Sequence, residues 1–440
     1  MRKPPLLLLA PSIALLAIVV IVIAAVAAGT QGPFMAAMLQ GEAQKQQKAA
    51  GPVLHDGDLR LELVAQGLEF PTSMAFVAGD ALLVLQKNDG RVMMMLNNDD
   101  DDSDGTDSRF KEILRLDVAN GAEQGLLGIA SIDDEVFLYL TEEEGKEPLR
   151  NRVYKYDWNG SALANPEMIL DLPAEPGPYH NGGKMAIGPA SDGRRLYAVI
   201  GDTGAGGGVL DNQKEGGSSR PPDDKSVVFR VDRETGNAPH GDGGPFPDLP
   251  RYFAYGIRNS FGMDFDPVTG TLWMTENGPD RYDEINVVRP GFNSGWHLVS
   301  GPIARSNATA ADLVMLGPAA YYGDPVFSWE RPVGVTDIEF FSSGKLGPRY
   351  ENNVFVGDIN NGNLYFFTVN ATRTGLALEE KGGLADGVAD ADDGNGGTED
   401  LSYVLAGAGF GRITDIETGP ADGYLYILTY EDGKVYRVRR

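Results

Sequence analysis

The chain has 440 residues, and its 37 lysines and arginines stand against 63 aspartates and glutamates, for a formal net charge of −26. This acidity excludes a nucleic-acid binder that works through a general basic surface, because phosphate contacts need clustered cations. The sequence has no cysteine, which excludes disulfides, thiolate zinc sites, iron–sulfur clusters and cysteine nucleophiles. The 57 glycines, without a collagen repeat, indicate many tight turns and hence many short strands.

The first thirty residues predict export. Two basic residues precede an apolar run from Leu6 to Ala28, which is typical of a signal peptide and is also long enough to span a bilayer. We therefore expect residues 1–30 to form a signal peptide or a membrane-anchoring helix, with the remainder extracytoplasmic, either membrane-anchored or secreted. Residues 31–57, rich in Gln, Ala and Gly, are expected to be a linker.

Similar β units follow one another through residues 58–440. Each unit has a polar or proline-containing entry, a small-apolar strand, a Gly or Asp turn and a strand that ends in aromatic or valine residues. A β unit repeating about every 60 residues predicts a propeller, so we expect an all-β, six-bladed β-propeller over residues 58–440. A β-sandwich is the competing interpretation, but no linker divides the chain as two sandwiches would require. The six units open with the strands Pro71–Phe76, Gly125–Ala130, Gly183–Ile187, Phe261–Phe265, Val335–Phe340 and Ile413–Ile416.

Unusual residues lie at the entries of these units. His180 precedes two glycines that allow close backbone approach, and Arg258 and Arg412 each adjoin an apolar strand, where a guanidinium needs an anionic partner. The turn Thr275–Pro279 offers free carbonyls and carboxylates of the kind that calcium binds. Taken one at a time, these features also fit simpler interpretations: a structural histidine, ordinary salt bridges and a hydrogen-bonded Asx turn. Together, at equivalent repeat positions, they predict a channel mouth for a polyanionic ligand and a cation.

The chain resembles the glucose/sorbosone dehydrogenase family, the soluble pyrroloquinoline quinone-dependent aldose sugar dehydrogenases. Short motifs in family order carry the resemblance across roughly residues 58–440. The family fold is a six-bladed β-propeller, in agreement with the repeat count. The motifs are Gly67–Met74, Glu123–Ile129, His180–Gly183, Tyr255–Gly262, Thr275–Pro279, Asp283–Asn286, Gly291–Trp296 and Gly411–Ile416.

The resemblance implies oxidation of aldose sugars at the anomeric carbon to lactones, with pyrroloquinoline quinone (PQQ) and calcium as cofactors. His180 would be the general base, and hydride would pass to the calcium-bound quinone. The implied partners are an aldose, an unidentified electron acceptor and, if the N-terminal segment is uncleaved, the membrane, with no nucleic acid. The implied binding residues are Arg258, Asn259 and Arg412 for the cofactor, Glu123 and Gln124 for the substrate, and the carbonyls of Gly278 and Pro279 for calcium.

The sequence also departs from the family pattern. Some members place a lysine on the cofactor in the fifth blade, whereas the matching stretch Gly357–Gly362 has none. Some carry a second arginine two residues after the one matched by Arg412, where this chain has Thr414, and Tyr179 replaces an aspartate before His180. Cationic contacts to a trianionic cofactor are therefore fewer.

Two other classes of function remain open on the sequence alone. A calcium-dependent, lactonase-type hydrolase also uses a propeller channel, but it needs three or four side-chain ligands around one metal and has no use for the two arginines. A non-catalytic, exported binding propeller would tolerate the loss of His180.

Overall fold

The computed structural model describes residues 51–96, 109–143, 145, 148–204, 208–213, 221–240, 244–378, 382–390 and 401–440. The predicted signal or anchor helix of residues 1–30, and residues 31–50 of the predicted linker, lie outside these ranges. Within them, no helix is both long enough and apolar enough to cross a membrane. The helices there are 3-10 turns at Ala190–Asp192, Ile303–Arg305, Ala310–Asp312, Leu384–Asp386 and Leu401–Tyr403.

Short strands make up the rest of the regular structure, as the glycine content predicts. The strands of the first half are β1 (Val53–Leu54), β2 (Arg60–Gln66), β3 (Pro71–Val77), β4 (Ala81–Gln86), β5 (Arg91–Met95), β6 (Phe110–Arg115), β7 (Leu126–Ile132), β8 (Glu135–Glu142), β9 (Arg150–Trp158), β10 (Leu163–Pro173), β11 (Met185–Ile187), β12 (Leu196–Ile200), β13 (Val227–Val231) and β14 (Tyr252–Tyr255). The strands of the second half are β15 (Gly262–Phe265), β16 (Leu272–Glu276), β17 (Asp283–Val288), β18 (Phe292–Asn293), β19 (Tyr321–Tyr322), β20 (Phe327–Trp329), β21 (Val335–Phe340), β22 (Val354–Asp358), β23 (Leu364–Phe367), β24 (Val388–Ala389), β25 (Leu405–Ala408), β26 (Ile413–Thr418), β27 (Leu425–Thr429) and β28 (Lys434–Arg439).

These strands form six sheets within the described residues, each built on consecutive antiparallel strands. The six strands predicted to open the repeats coincide with one edge strand of each sheet, here called the inner strands: β3, β7, β11, β15, β21 and β26. The strand orders are β3-β4-β5-β6, β10-β9-β8-β7, β11-β12-β13-β14-β18-β19, β15-β16-β17-β20-β24, β1-β25-β23-β22-β21 and β2-β28-β27-β26.

The inner strands of the six sheets surround a central channel. β3 contacts β7, β7 contacts β11, and the series continues through β15, β21 and β26 until β26 contacts β3 again. The ring of sheets is therefore closed, and the all-β propeller expected from the repeats is confirmed.

The two ends of the repeating region meet in one sheet. Strand β2 pairs antiparallel with β28, so that Leu61 lies opposite Val438. Strand β1 pairs with β25, with Val53 opposite Ala408, so residues ahead of the expected boundary at residue 58 already belong to a sheet. Closing a ring with strands from both chain ends removes the free edges that an open array would expose.

Each neighbouring pair of sheets encloses its own hydrophobic core. Phe137 and Phe229 share the core between the second and third sheets, and Trp273 and Val356 share the core between the fourth and fifth. Because both faces of each sheet are covered, the strands are apolar on both faces and do not alternate cleanly.

A buried ion network crosses the channel. The ammonium of Lys184, just before β11, lies 2.7 Å from Asp337 of β21 and 2.7 Å from Asp415 of β26, and both carboxylates are 1% exposed. Asp415 also accepts hydrogen bonds from the hydroxyl of Ser73 and the backbone N–H of Met74 in β3. The network centred on Lys184 thus connects the inner strands of four sheets.

Replacing Lys184 with methionine should destabilise the protein by about 3–5 kcal/mol, because it leaves two buried carboxylates without a cation. Urea denaturation followed by circular dichroism measures the loss. Lys345→Met removes the same charge from an exposed loop position and should change stability by no more than about 0.5 kcal/mol. Equal stabilities of the two variants would contradict a structural role for the network.

Candidate active site

A cavity of about 220 Å³ lies at one end of the channel. Two of the residues predicted for the site, Glu123 and Arg412, line it. Its wall is formed by residues at or near the inner strands of all six sheets, so the channel brings distant parts of the chain together. The lining residues are Thr72, Ser73, Lys87, Ala122, Glu123, Leu127, Gly182, Lys184, Phe261, Thr336, Ile359, Arg412, Thr414, Asp415 and Tyr430.

The carboxylate of Glu123 connects three of the predicted residues. It accepts a hydrogen bond of 2.7 Å from the backbone N–H of His180 and one of 3.0 Å from the side-chain amide of Asn259. Asn259 is 2% exposed, and its amide oxygen has no hydrogen-bond partner among the described residues. A buried orphan acceptor beside a cavity is a candidate ligand contact.

Glycine is required where the His180 loop approaches its neighbours. Gly182 has a φ of +66°, and a Cβ placed on it would lie 2.3 Å from the carbonyl oxygen of Val199. The close approach inferred from the two glycines is therefore present.

Asp202 orients the imidazole of His180. One carboxylate oxygen lies 2.5 Å from His180 Nδ1, and the other accepts a 2.9 Å hydrogen bond from the indole of Trp296. Burial raises the pKa of Asp202, but the interactions with His180, Gly204 and Trp296 outweigh it and leave the pKa below its usual value. An ionised Asp202 favours the tautomer that carries its proton on Nδ1, which leaves His180 Nε2 as a free base.

Arg258 is half-buried and has no carboxylate partner among the described residues. Its backbone N–H donates to Glu276 at 2.7 Å, and its Nη1 donates to the carbonyl oxygen of Asn277 at 2.9 Å. The guanidinium carbon lies 5.3 Å from the centre of the Trp296 ring, and Nε is buried without a hydrogen-bond partner. Burial lowers the pKa of Arg258, while the charges of Asp202 and Glu276 oppose that shift. The ordinary salt bridge considered from the sequence is not formed by the described residues.

Arg412 differs from the paired arginines elsewhere in the fold. It is exposed at the cavity, and no described carboxylate lies within the 4 Å of an ion pair. Lys184 lines the same cavity, but Asp337 and Asp415 neutralise it. Arg412 is thus free to bind an anion entering the cavity.

The remaining predicted residues lie farther from the cavity. Gln124 does not line it; the side chain packs beside Gly121 and Gly177, and its backbone carbonyl oxygen accepts a hydrogen bond from Lys87. Pro279 lines a separate cavity of about 770 Å³. The assignment of Gln124 to the substrate stays a prediction.

The turn at Gly278 is closed by a carboxylate. The backbone N–H of Gly278 donates to Asp283 at 3.0 Å, and the second oxygen of Asp283 accepts from the backbone of Val333, Gly334 and Val335. No group of three or more His, Cys, Asp or Glu side chains suited to a metal occurs in the part of the chain described. A cation here would rely on backbone carbonyls, and the calcium site stays a prediction.

Three residues near the site were not assigned to it from the sequence: Asp202, Trp296 and the buried Lys87. Asp202 lies two residues after strand β12, the neighbour of β11, and nothing in its sequence context distinguishes it from other aspartates that follow strands. From its sequence motif, Trp296 could lie either near the channel or in the core. Its contacts with Asp202 and Arg258 place it beside the site.

The sequence profile described as glucose/sorbosone dehydrogenase matches residues 68–437. The chain belongs to this family. Family membership confirms the resemblance drawn from the motifs. The family consists of sugar dehydrogenases, which is the class of enzyme expected from the sequence.

The chain is also similar to individual relatives and solved structures. Aldose sugar dehydrogenase YliI of Escherichia coli is 32% identical over 190 residues, which cover 42% of this chain and 43% of the relative, less than half of its length. The structure of an oxidoreductase (glucose dehydrogenase) from Thermus thermophilus is 25% identical, with a TM-score of 0.63 over 86% of this chain and 99% of that one. The PQQ-bound aldose sugar dehydrogenase of Streptomyces coelicolor is 21% identical, with a TM-score of 0.59 over 87% and 98% of the two chains.

Removing the Arg412 guanidinium should leave stability unchanged. Arg412→Met breaks no ion pair, so we expect a shift within about 0.5 kcal/mol. The matched control is Arg373→Met, since Arg373 lies 2.6 Å from the fully buried Asp266 and its loss should cost roughly 3–5 kcal/mol. Chemical denaturation of both variants measures the difference, and a large loss in Arg412→Met would show that this arginine is structural.

Proposed function

We propose that the protein oxidises aldose sugars at the anomeric carbon to lactones, with PQQ as cofactor and calcium beside it. The imidazole of His180, held by Asp202 on the loop whose Gly182 lines a cavity with unpaired cations, is the observation that carries the proposal. Family membership supports the reaction class, and the PQQ-bound Streptomyces structure shares the fold.

The described residues fit the quinone. PQQ carries three carboxylates, and Arg258 and Arg412 are guanidinium groups without carboxylate partners in an otherwise acidic chain. The orphan Nε of Arg258 and the orphan Oδ1 of Asn259 are buried polar atoms that a bound cofactor would satisfy. The aromatic ring of Trp296 over Arg258 fixes the guanidinium plane.

The chain's own residues account for the proton. His180 Nε2 would accept the proton of the anomeric hydroxyl, and the Asp202 carboxylate would stabilise the imidazolium that results. Glu123 holds the His180 backbone and Asn259 in place, so that the base and the cofactor-binding amide keep a fixed separation. When bound, PQQ supplies the acceptor for the hydride of the anomeric carbon.

Calcium would be held by the carbonyls of Gly278 and Pro279, and it would polarise a carbonyl oxygen as a Lewis acid. The proposal also includes three expectations drawn from the sequence: an unidentified electron acceptor, an extracytoplasmic location and a membrane contact through the N-terminal segment if that segment is uncleaved. The six sheets support the proposal that each forms one blade.

The alternatives have less support. A lactonase-type hydrolase would surround its metal with three or four side chains, and the described residues contain no such group of acidic or histidine ligands. A binding propeller gives no reason for the oriented imidazole of His180.

Reconstitution tests the proposal. We expect the purified protein, incubated with calcium and PQQ, to oxidise aldoses and reduce an artificial dye. The control omits PQQ. Absence of dye reduction across a broad sugar panel, together with absence of quinone binding by absorbance, would contradict the proposed function.

His180→Ala should abolish turnover while leaving quinone binding within about threefold, because the imidazole takes the proton and does not hold the cofactor. Dye-reduction rates and a quinone absorbance titration measure the two quantities on the same sample. His55→Ala, at a histidine whose ring contacts the carbonyl of Leu405, is the matched control and should keep full turnover. Turnover that survives in His180→Ala would show that another group is the base.

A further inference from the structure

A buried lysine holds the turn that presents Glu123 to the cavity. Lys87 follows directly after β4, is 7% exposed and lines the cavity. Its ammonium donates to the carbonyl oxygen of Ala122 at 2.8 Å and to that of Gln124 at 2.9 Å. These carbonyls stand on either side of Glu123, so one cation binds the backbone before and after that residue.

The backbone and aliphatic stem of Lys87 also pack against this turn. The backbone N–H of Leu126 donates to the carbonyl oxygen of Lys87 at 3.0 Å. A Cβ placed on Gly125, whose φ is +149°, would lie 2.5 Å from both Cγ and the carbonyl oxygen of Lys87. The turn therefore fits against Lys87 only with glycine at that position.

Lys87 also brings positive charge to the cavity wall. None of the described carboxylates forms an ion pair with it within 4 Å. Burial lowers the pKa of Lys87, and the nearby charge of Glu123 opposes that shift. An ammonium has three N–H groups, and two of them are engaged by the carbonyls of the turn. The third remains available to an anion in the cavity.

We propose that Lys87 is a positioning residue that fixes Glu123 between His180 and Asn259, and that its charge adds to those of Arg258 and Arg412 in binding an anionic cofactor. The inference rests on the proposed function. It assigns to a residue outside the sequence motifs both the geometry of the turn and part of the affinity for the quinone.

The test compares quinone binding by the wild-type protein, Lys87→Met and Lys87→Arg, measured as PQQ absorbance titrations in the presence of calcium. Loss of a charged hydrogen-bond donor should weaken binding roughly 10- to 100-fold in Lys87→Met. It should also reduce the dependence of affinity on salt. Lys87→Arg keeps the charge and can donate to both carbonyls, so it should recover most of the affinity. Lys345→Met, an exposed lysine with the same loss of charge, should bind as the wild type does.

A double-mutant cycle with Glu123→Gln shows whether Lys87 acts through Glu123. We expect Lys87→Met to cost less affinity in the Glu123→Gln background than in the wild type, because residues that act together are not additive. Additive losses would overturn the positioning role. Wild-type affinity in Lys87→Met would overturn the inference while leaving the proposed function intact, whereas failure of the wild type to bind PQQ would defeat the proposed function itself.

Thermal melts separate this role from folding alone. If Lys87→Met does not fold, the binding titration is made with Lys87→Gln, because glutamine keeps an amide donor for a carbonyl and loses the charge. A folded Lys87→Gln with weakened binding supports the proposal. Failure of both neutral variants to fold would overturn it in favour of a purely structural lysine.

Discussion

The ion network around Lys184 is the constraint on which the channel depends. One ammonium pairs with Asp337 and Asp415, two carboxylates supplied by inner strands of different sheets. Breaking a buried pair by removing one partner costs about 3–5 kcal/mol, a sizeable part of the roughly 5–15 kcal/mol that typically separates folded and unfolded states. The ring of sheets closes around this charge, and the network connects inner strands that lie far apart in the sequence.

Further acidic groups lie near Lys184 in the channel. Burial raises the pKa of Asp264 to about 6, and burial together with the charge of Asp415 raises the pKa of Glu417 to about 8. The pKa of Glu339 is raised as well, first by burial and then by the charge of Asp264. These carboxyls line a second cavity, of about 280 Å³, and Lys184 lines both this cavity and the candidate active site. The lysine therefore separates an acidic chamber from the site above it.

Charge is distributed differently at the site. Lys184 is neutralised by its two carboxylates, whereas Arg258, Arg412 and Lys87 have no carboxylate partner among the described residues. Three unpaired cations beside one oriented imidazole suit an anionic ligand with a proton to lose. The net charge of −26 describes the chain as a whole and gives no indication of this local positive region.

Much of the fold follows from repetition in the sequence. Apolar runs bounded by turns locate the strands that open the six units, because a strand buried on both faces has a continuous apolar pattern. The fourth strands and the pairing of β2 with β28 were not predicted, since pairing between the two chain ends has no local signature. Unusual sequence contexts also mark His180, Arg258 and Arg412. Asp202 and Lys87 have no such mark, because an aspartate or a lysine after a strand is common, and only the three-dimensional contacts distinguish these two.

Native mass spectrometry of the protein mixed with PQQ and calcium tests whether the unpaired cations beside His180 bind the quinone. We expect one quinone bound per chain, and strongly reduced binding by the double variant Arg258→Met, Arg412→Met, whose fold should remain intact. A chain that stays free of quinone at saturating concentrations, or a double variant that binds as well as the wild type, would contradict it.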